Sequence, residues 1–430
     1  MESIRNKTLR ILRSAEPFLK LDMVYLARGG FWTTLRFVVG VLSSLVTVVA
    51  FGNLLPREVY GTYNYLLALG ASLSFLTLSG TGTAVMRSVS RGYENIIPHA
   101  LRLYLKYNML SVSLVMLVAI YYGYKGNLVF AGALALLSVA YPISEAYHLY
   151  VQILTGRKRF DLLTKIASIT SLVGAIATFS VLLLTDNVLA LIATYTLISL
   201  IPNFITYKIT TRKIDRSAPS REQINEFERT SFHVTGSGII GVIASYIDKI
   251  ILFQIAGPAS LAVYGFAIAG PERLKSLVKN WTSIALPRLA QSSLVQVHVV
   301  VYKRIALSTL IGGSLSLIYI LTSPILFKIF LPRYLDSIIY SQVISLGLIF
   351  VPTSVYIGSV FSGQNMLRAI YALNFGSQVL RIVLFITFAW LWHIWGLVFA
   401  YLLSSIANAI YGIIILEIET KRLINKNETQ

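Results

Sequence analysis

The apolar stretch "VLALIATYTLISLIPNFITYKI" (188–209) is followed directly by the basic stretch "TTRKIDRSAPSREQ" (210–223). A run of about twenty apolar residues crosses the roughly 30 Å hydrocarbon core of a bilayer as an α-helix. Similar runs recur along the chain, so the sequence predicts an all-α, polytopic membrane protein with about 12 transmembrane helices. The predicted spans are 32–54, 62–86, 104–124, 128–155, 163–185, 188–209, 232–256, 261–286, 305–331, 338–362, 370–392 and 394–416.

The overall composition supports lipid as the solvent. Of 430 residues, 56% are hydrophobic and 13% are charged, whereas a soluble chain carries about 25% charged residues. The net charge of +19 comes from short clusters between the apolar runs, which is typical of membrane proteins and argues against a nucleic-acid partner. The chain has no cysteine, which excludes disulfides and thiolate metal sites.

The basic residues also predict the orientation. With a cytoplasmic N-terminus, 27 of the 37 Lys and Arg lie in or next to the inward segments, and four lie in outward loops. Cytoplasmic loops are enriched in Lys and Arg, so we expect a multi-pass protein of the cytoplasmic membrane. An even number of spans then places both termini in the cytoplasm. The outward loops are all short, which argues against a folded extracytoplasmic domain.

Local matches at nearly one offset indicate an internal repeat. Tyr60-Gly61 pairs with Tyr264-Gly265 at an offset of 204, and the glycines that end two proline-containing stretches are 207 residues apart. Tyr195 and Tyr401 begin a third match, at an offset of 206. The repeat predicts two six-helix lobes of the same direction, and such parallel repeats in transporters hold the substrate between the halves.

The repeat and the charge pattern divide the chain into five segments. Ser220 and Gln223 form a potential capping box, which predicts a short surface helix in the linker. The N-terminal segment is basic and amphipathic and lacks the features of a cleavable signal, so the first span is expected to direct insertion. The segments are 1–31 (cytoplasmic, amphipathic), 32–209 (first lobe), 210–231 (cytoplasmic linker), 232–416 (second lobe) and 417–430 (cytoplasmic tail).

Ionisable side chains inside the spans are the candidate site residues, because such groups usually face a protein interior or a wet cavity. Basic residues outnumber acidic ones by three, which suits an anionic headgroup better than a cationic drug. Ion pairs of Asp248 with Lys249, or of Glu272 with Arg273 or Lys275, are the structural alternative, and Arg36 and Lys279 are close enough to a span end to snorkel. The substrate-binding candidates are Arg273, Lys275, Arg381, Lys249 and Arg36.

Three of these cations, Arg273, Lys275 and Arg381, have no obvious neutralising partner in the sequence. The ion-coupling candidates are acidic or imidazole groups, of which Glu145 and His148 lie on one span and either relay a proton or form a packing pair. The ion-coupling set is Glu145, Asp248, Glu272 and His148, and the candidate hinges are Pro142 and Pro352.

Signatures of enzymes and cofactor sites are missing from the sequence. It has no Gly-rich phosphate loop, HExxH helix or GxSxG elbow, and its five His are scattered without metal-ligand spacing. We therefore predict no enzyme activity, no cofactor and no metal site.

Four segments resemble, in order along nearly the whole chain, those of polysaccharide-repeat flippases. This O-antigen and lipid-linked oligosaccharide exporter family belongs to the multidrug/oligosaccharidyl-lipid/polysaccharide exporter superfamily. The first segment departs from the usual pattern at Leu55, where Gly is common, and at Arg57, between the proline and Glu58. The segments are "NLLPREVYGTYNYLLAL" (53–69), "IDKIILFQIAGPASLAVYGFAIA" (247–269), "WTSIALPRLA" (281–290) and "WHIWGLVFAYLLSSIAN" (392–408).

The resemblance implies a two-lobed bundle that flips a polyprenyl-diphosphate-linked oligosaccharide to the outer leaflet, for example in lipopolysaccharide synthesis. Transport would follow alternating access, powered by an ion gradient or the membrane potential. Its partners would be the lipid-linked glycan, membrane lipid and, potentially, a glycan polymerase and glycosyltransferases. The alternatives are a multidrug/cation antiporter of the same fold, a membrane glycan polymerase or ligase, and a scaffold or lipid-binding subunit.

Overall fold

The computed structural model describes residues 23–214, 217–283, 294–364 and 366–428. Most of the predicted N-terminal amphipathic segment and most of "WTSIALPRLA" lie outside these ranges. The described ranges contain helices and no strand. In chain order the α-helices are α1 (Met23–Leu54), α2 (Arg57–Ser72), α3 (Thr81–Ser90), α4 (Ile97–Tyr124), α5 (Leu128–Tyr147), α6 (Tyr150–Gly156), α7 (Phe160–Leu184), α8 (Val188–Thr211), α9 (Arg221–Ala244), α10 (Ile247–Ser283), α11 (Leu294–Phe330), α12 (Ser337–Ser345), α13 (Val351–Gly363) and α14 (Leu367–Glu428).

The lengths of these helices confirm the predicted fold class. In the described residues, nine helical segments are long and apolar enough to cross a membrane, and the pair α2–α3, bent by 63°, brings the number to 10. Two of the nine are 59 and 55 residues long, and each contains a break, at Gly257 or at Trp392–His393. Reading each broken segment as two spans gives the expected number of about 12.

The break at Gly257 follows from its backbone conformation. Its φ is +79°, in a region that glycine reaches at little cost and that other residues rarely adopt. Pro258 follows it and has no N–H to continue the preceding helix. The chain therefore ends one span and begins the next within two residues, inside the predicted 257–260 loop.

Apolar and aromatic packing joins the two halves of the chain at one end of the bundle. Tyr65 of α2 stacks on Phe253 of α10 at 3.9 Å between ring centroids. The backbones also approach closely, because a Cβ placed on Gly61 would overlap the carbonyl oxygen of Pro258. The Tyr-Gly pair that suggested an internal repeat therefore has a packing role in this half.

A polar cluster lies beside that packing, and we call Arg57, Arg333, Tyr334 and Asp336 the rim cluster. The Arg57 guanidinium donates to both carboxylate oxygens of Asp336 at 2.7 and 3.1 Å and to the Arg333 carbonyl at 2.5 Å. Its carbon lies 5.0 Å from the centroid of the Tyr334 ring. Burial raises the pKa of Tyr334 to about 12.

Helix α9 connects the halves at the other end. Glu226 accepts from Arg91 at 2.7 Å and Glu228 pairs with His99 at 2.9 Å, both partners belonging to the first half. His233, one turn further on, contacts the Tyr371 hydroxyl of α14 in the second half. The predicted capping box forms as expected. The helix it begins is not a short surface helix, because it continues for 24 residues to Ala244.

Candidate functional site

A cavity of about 160 Å³ lies within the second half, between α10, α13 and α14. All of its lining residues come from these three helices, whereas the sequence analysis placed the candidate site between the halves. Hydrophobic patterns predict spans, but they do not show which spans enclose a gap. The lining residues are Lys275, Lys279, Val351, Ser354, Val355, Ser377, Gln378, Arg381, Tyr401, Ser404, Ser405 and Asn408.

Helical spacing explains how each element supplies its lining residues. On α10, Lys275 and Lys279 are four residues apart and therefore share a face. On α14, the break at Trp392–His393 reverses the chain, so that Arg381 and Tyr401 approach the same cavity from two antiparallel segments. Three cations thus meet hydroxyl and amide groups in one place.

Arg381 has unmade hydrogen bonds. Its Nε is buried and has no hydrogen-bond partner, and its guanidinium carbon lies 4.9 Å from the Phe385 ring centroid. Among the ion pairs of the described residues, none involves Arg381. A buried donor left unsatisfied costs about 1–3 kcal/mol, so a hydrogen-bonding anion in the cavity would recover this energy.

Lys275 does have a partner, and the prediction that it lacked one is wrong. Its Nζ lies 2.7 Å from Oε1 of Glu272, three residues earlier on the same helix face. The Tyr401 hydroxyl donates to the same oxygen at 2.7 Å. The ion-pair alternative for Glu272 is therefore the arrangement in the structure, because an i,i+3 spacing on a helix brings two side chains together.

Asp248 is buried, and hydrogen bonds take the place of the expected ion pair. It accepts hydrogen bonds from the Tyr264 hydroxyl and from the backbone N–H of Lys249, both at 2.9 Å. The Lys249 ammonium instead lies 5.9 Å from the Tyr246 ring centroid. In the part of the chain that the structure describes, no ion pair joins Asp248 to Lys249, so that interpretation is wrong.

The other predicted cations lie away from the cavity. Arg273 is exposed, because two residues along a helix is more than half a turn and places it opposite Lys275. Arg36 lies in the first half, within electrostatic reach of His148 and Tyr150. Lys249 is also absent from the cavity lining. Of the five candidates, the structure brings Lys275 and Arg381 together and adds Lys279.

Glu145 lies in the first half among hydroxyl groups. Tyr104, Tyr141, Tyr195 and Tyr246 are all within electrostatic reach of its carboxylate. Within the described ranges no hydrogen bond joins Glu145 to His148, whose ring packs edge-on against Tyr150 at 5.6 Å. The hydrogen-bonded packing pair is therefore not formed, and a proton relay stays a prediction.

The two predicted hinge prolines occupy different local structures. Pro142 is buried inside α5, and its carbonyl accepts from the Asn108 side chain at 3.1 Å. Pro352 is near the start of α13, directly after the 3₁₀ turn Leu346–Ile349. Both interrupt regular hydrogen bonding within a span, and their movement stays a prediction.

The sequence of this bundle matches a known family over most of its length. The polysaccharide biosynthesis protein family matches residues 26–293, which is more than half of the chain. The chain belongs to this family. No individually curated protein matches it significantly.

Several solved structures of transporters are similar in fold to this chain. One is the outward-facing structure of a multidrug resistance MATE family transporter of the MOP superfamily, which is 15% identical in sequence. The match covers 93% of this chain and 96% of that chain, with a TM-score of 0.59. Its inward-facing conformation, also 15% identical, covers 90% and 99% with a TM-score of 0.60. These likenesses confirm an all-α, two-lobed transporter fold.

A third similar structure is described by the charge of its pocket. It is a MOP superfamily transporter from Pyrococcus furiosus for which reverse polarity of the binding pocket suggests a different function. It is 16% identical, covers 91% of this chain and 95% of that chain, and has a TM-score of 0.57.

Sequence reasoning missed the neutral polar lining of the cavity in this polysaccharide biosynthesis protein. Tyr401, Ser404, Ser405 and Asn408 repeat at spacings of three and four residues within an apolar span. That stripe is a visible signal, because polar groups on one face of a membrane helix face protein or water rather than lipid. A search restricted to charged residues does not find it. The described residues contain no group of three or more His, Asp or Glu placed to hold a metal ion.

Proposed function

We propose that this family member is a flippase for a polyprenyl-diphosphate-linked oligosaccharide in the cytoplasmic membrane, acting in cell-surface polysaccharide biosynthesis. The observation that carries the proposal is Arg381, a cation without a carboxylate partner at a polar cavity that Lys275 and Lys279 also line. A guanidinium binds phosphate oxygens through two parallel hydrogen bonds, and an ammonium binds them as a point charge. The cavity volume of about 160 Å³ suits a headgroup rather than the whole lipid.

The contacts at the rim support loading from the cytoplasm. The rim cluster and the α2–α10 packing join the two halves at one end, and the positive-inside pattern predicts that this end faces outward. We propose that the protein binds its lipid-linked glycan on the cytoplasmic side and then opens at the rim, with an ion gradient or the membrane potential as the energy source. Glu145, His148, Asp248 and Glu272 remain the proposed ion-coupling groups.

A multidrug/cation antiporter of the same fold is the nearest alternative. A cation carrier is expected to present acidic side chains to its substrate, whereas the three charged residues that line this cavity are all basic. The MOP transporter with a pocket of reverse polarity is a precedent for different function within one fold. A polymerase or ligase would use the product of this flippase, so we propose such an enzyme and upstream glycosyltransferases as partners.

Deletion of the gene and complementation test the proposal. The deletion strain should accumulate lipid-linked glycan in the inner leaflet, and the wild-type gene should remove it. Arg381→Gln should reduce export about ten- to a hundredfold, since it removes charged hydrogen bonds of about 1.5–3 kcal/mol. Arg368→Gln, a loss of an exposed arginine on the same helix, is the matched control and should export normally.

Membrane abundance of both variants is measured by immunoblotting. Normal export by an abundant Arg381→Gln variant would contradict the proposed site. Loss of drug efflux on deletion, with no accumulation of lipid-linked glycan, would instead support the antiporter.

A further inference from the structure

Glu272 occupies a position that the proposed anion site does not require. Its carboxylate binds Lys275 and Tyr401, which both line the cavity, but Glu272 itself is not among the lining residues. The Lys275 side chain is 19% exposed and the Glu272 side chain is 41% exposed. The Glu272 carboxylate, which is not part of the lining, therefore binds Lys275, one of the three cavity cations.

The arrangement makes the two partly buried cations, Lys275 and Arg381, unequal. Arg381 has no carboxylate partner and a buried Nε without a hydrogen bond, whereas Lys275 has a complete ion pair at 2.7 Å. An anion that enters the cavity can bind Arg381 directly. An anion experiences the full charge of Lys275 only when Glu272 moves away, because the carboxylate offsets much of that charge while the two groups are 2.7 Å apart.

We propose that Glu272 is an internal counter-anion that a phosphate-type substrate anion displaces from Lys275. An unpaired cation within a membrane bundle is costly, so the empty cavity keeps Lys275 neutralised by Glu272. When the substrate anion arrives, Lys275 changes partner, and the Tyr401 hydroxyl is released with it. The charge of Lys275 is then matched in both the empty and the loaded carrier. This inference rests on the proposed function only for the class of ligand.

A purely structural role for Glu272 gives the opposite expectation. If the carboxylate only positions Lys275 toward the cavity, its removal should weaken anion binding. If it competes with the anion, its removal should strengthen binding. The direction of the affinity change therefore tests the positioning role. The same removal in the Lys275→Gln background then shows whether the gain depends on Lys275 or only on the loss of a nearby negative charge.

The test uses the purified full-length chain in detergent and inorganic pyrophosphate as the probe, with affinity measured by isothermal titration calorimetry. Glu272→Gln should bind pyrophosphate about two- to fivefold more tightly than wild type, which is the range expected for loss of a partly exposed ion pair. Lys275→Gln should bind more weakly. Removing Glu272 should raise the affinity of the Lys275→Gln variant by less than it raises that of wild type, because the exchange depends on Lys275 and only the weaker attraction between Glu272 and Arg381 remains.

Glu419→Gln is the matched control. Glu419 forms the same i,i+3 pair with Arg422, at 3.0 Å, away from the cavity, so its pyrophosphate affinity should equal that of wild type. Size-exclusion profiles and thermal midpoints in detergent show that each variant is folded.

Unchanged or weaker binding by folded Glu272→Gln would overturn the proposal, and so would the absence of pyrophosphate binding to both wild type and this variant. These failures are distinct from failure of the flippase function. If the wild-type protein exports the glycan but Glu272→Gln has the pyrophosphate affinity of wild type, only the proposed role of Glu272 is wrong. If Glu272→Gln binds pyrophosphate more tightly but the deletion strain accumulates no lipid-linked glycan, the anion exchange stands and the proposed substrate is wrong.

Discussion

Arg57 of the rim cluster and Arg381 of the cavity have hydrogen bonds that are completed to very different degrees. Arg57 binds a carboxylate through two hydrogen bonds, donates to a carbonyl and lies against an aromatic ring. Arg381 also lies against an aromatic ring, yet its Nε has no partner and no carboxylate binds it in the described part of the chain. A cation with completed contacts in the empty protein stabilises the closed bundle. A cation with unmade contacts is available to a ligand.

The largest expected effect tests whether the rim end is held by backbone packing as well as by charge. Gly61→Ala should lower the free energy of unfolding by about 3 kcal/mol or more, because the new Cβ would overlap the Pro258 carbonyl and force α2 from α10. The thermal midpoint in detergent measures this loss. Gly313→Ala is the control, since a Cβ there has no atom within 4 Å and alanine favours a helix interior by about 0.5–1 kcal/mol. Equal midpoints for the two variants would contradict close packing at Gly61.

The next effect tests the Arg57–Asp336 contact itself. Arg57→Met should cost about 1 kcal/mol of stability, because the pair is partly exposed and its free energy is screened by solvent. Asp336→Asn should cost a similar amount. The double variant should be no less stable than Arg57→Met alone, because Arg57→Met already removes the contact with Asp336. Additive losses in chemical unfolding would show that the two residues act independently.

The smallest effect on stability is expected in the cavity, where replacing Arg381 by methionine should leave the fold intact. Arg381→Met should leave the unfolding free energy unchanged or raise it by up to about 1 kcal/mol, because it removes an unsatisfied buried donor and keeps the side-chain volume. A loss as large as that of Arg57→Met would remove the distinction between the two arginines. Thermal midpoints of the two methionine variants, measured side by side, make this comparison.

The transmembrane architecture was predictable from residue order, and the site only in part. Apolar runs, the basic loops and the Gly257-Pro258 dipeptide mark the spans and a break between two of them. Lys275 and Arg381 were recognised as charges within spans, but Arg273 was grouped with them although helical geometry places it on another face. The ion pair of Lys275 follows from spacing alone. The enclosure of the cavity by α10, α13 and α14 could not be predicted in this way, because hydropathy does not indicate which spans pack side by side.

Helix α9 imposes a mechanical condition on any separation of the lobes. It is held to the first lobe through Glu226 and Glu228, and it contacts the second lobe through His233, which meets the Tyr371 hydroxyl. A rotation of one lobe against the other must therefore either break the contact between His233 and Tyr371 or bend α9 between Glu228 and His233. The resistance of this short stretch of helix would then set how readily the empty protein resets.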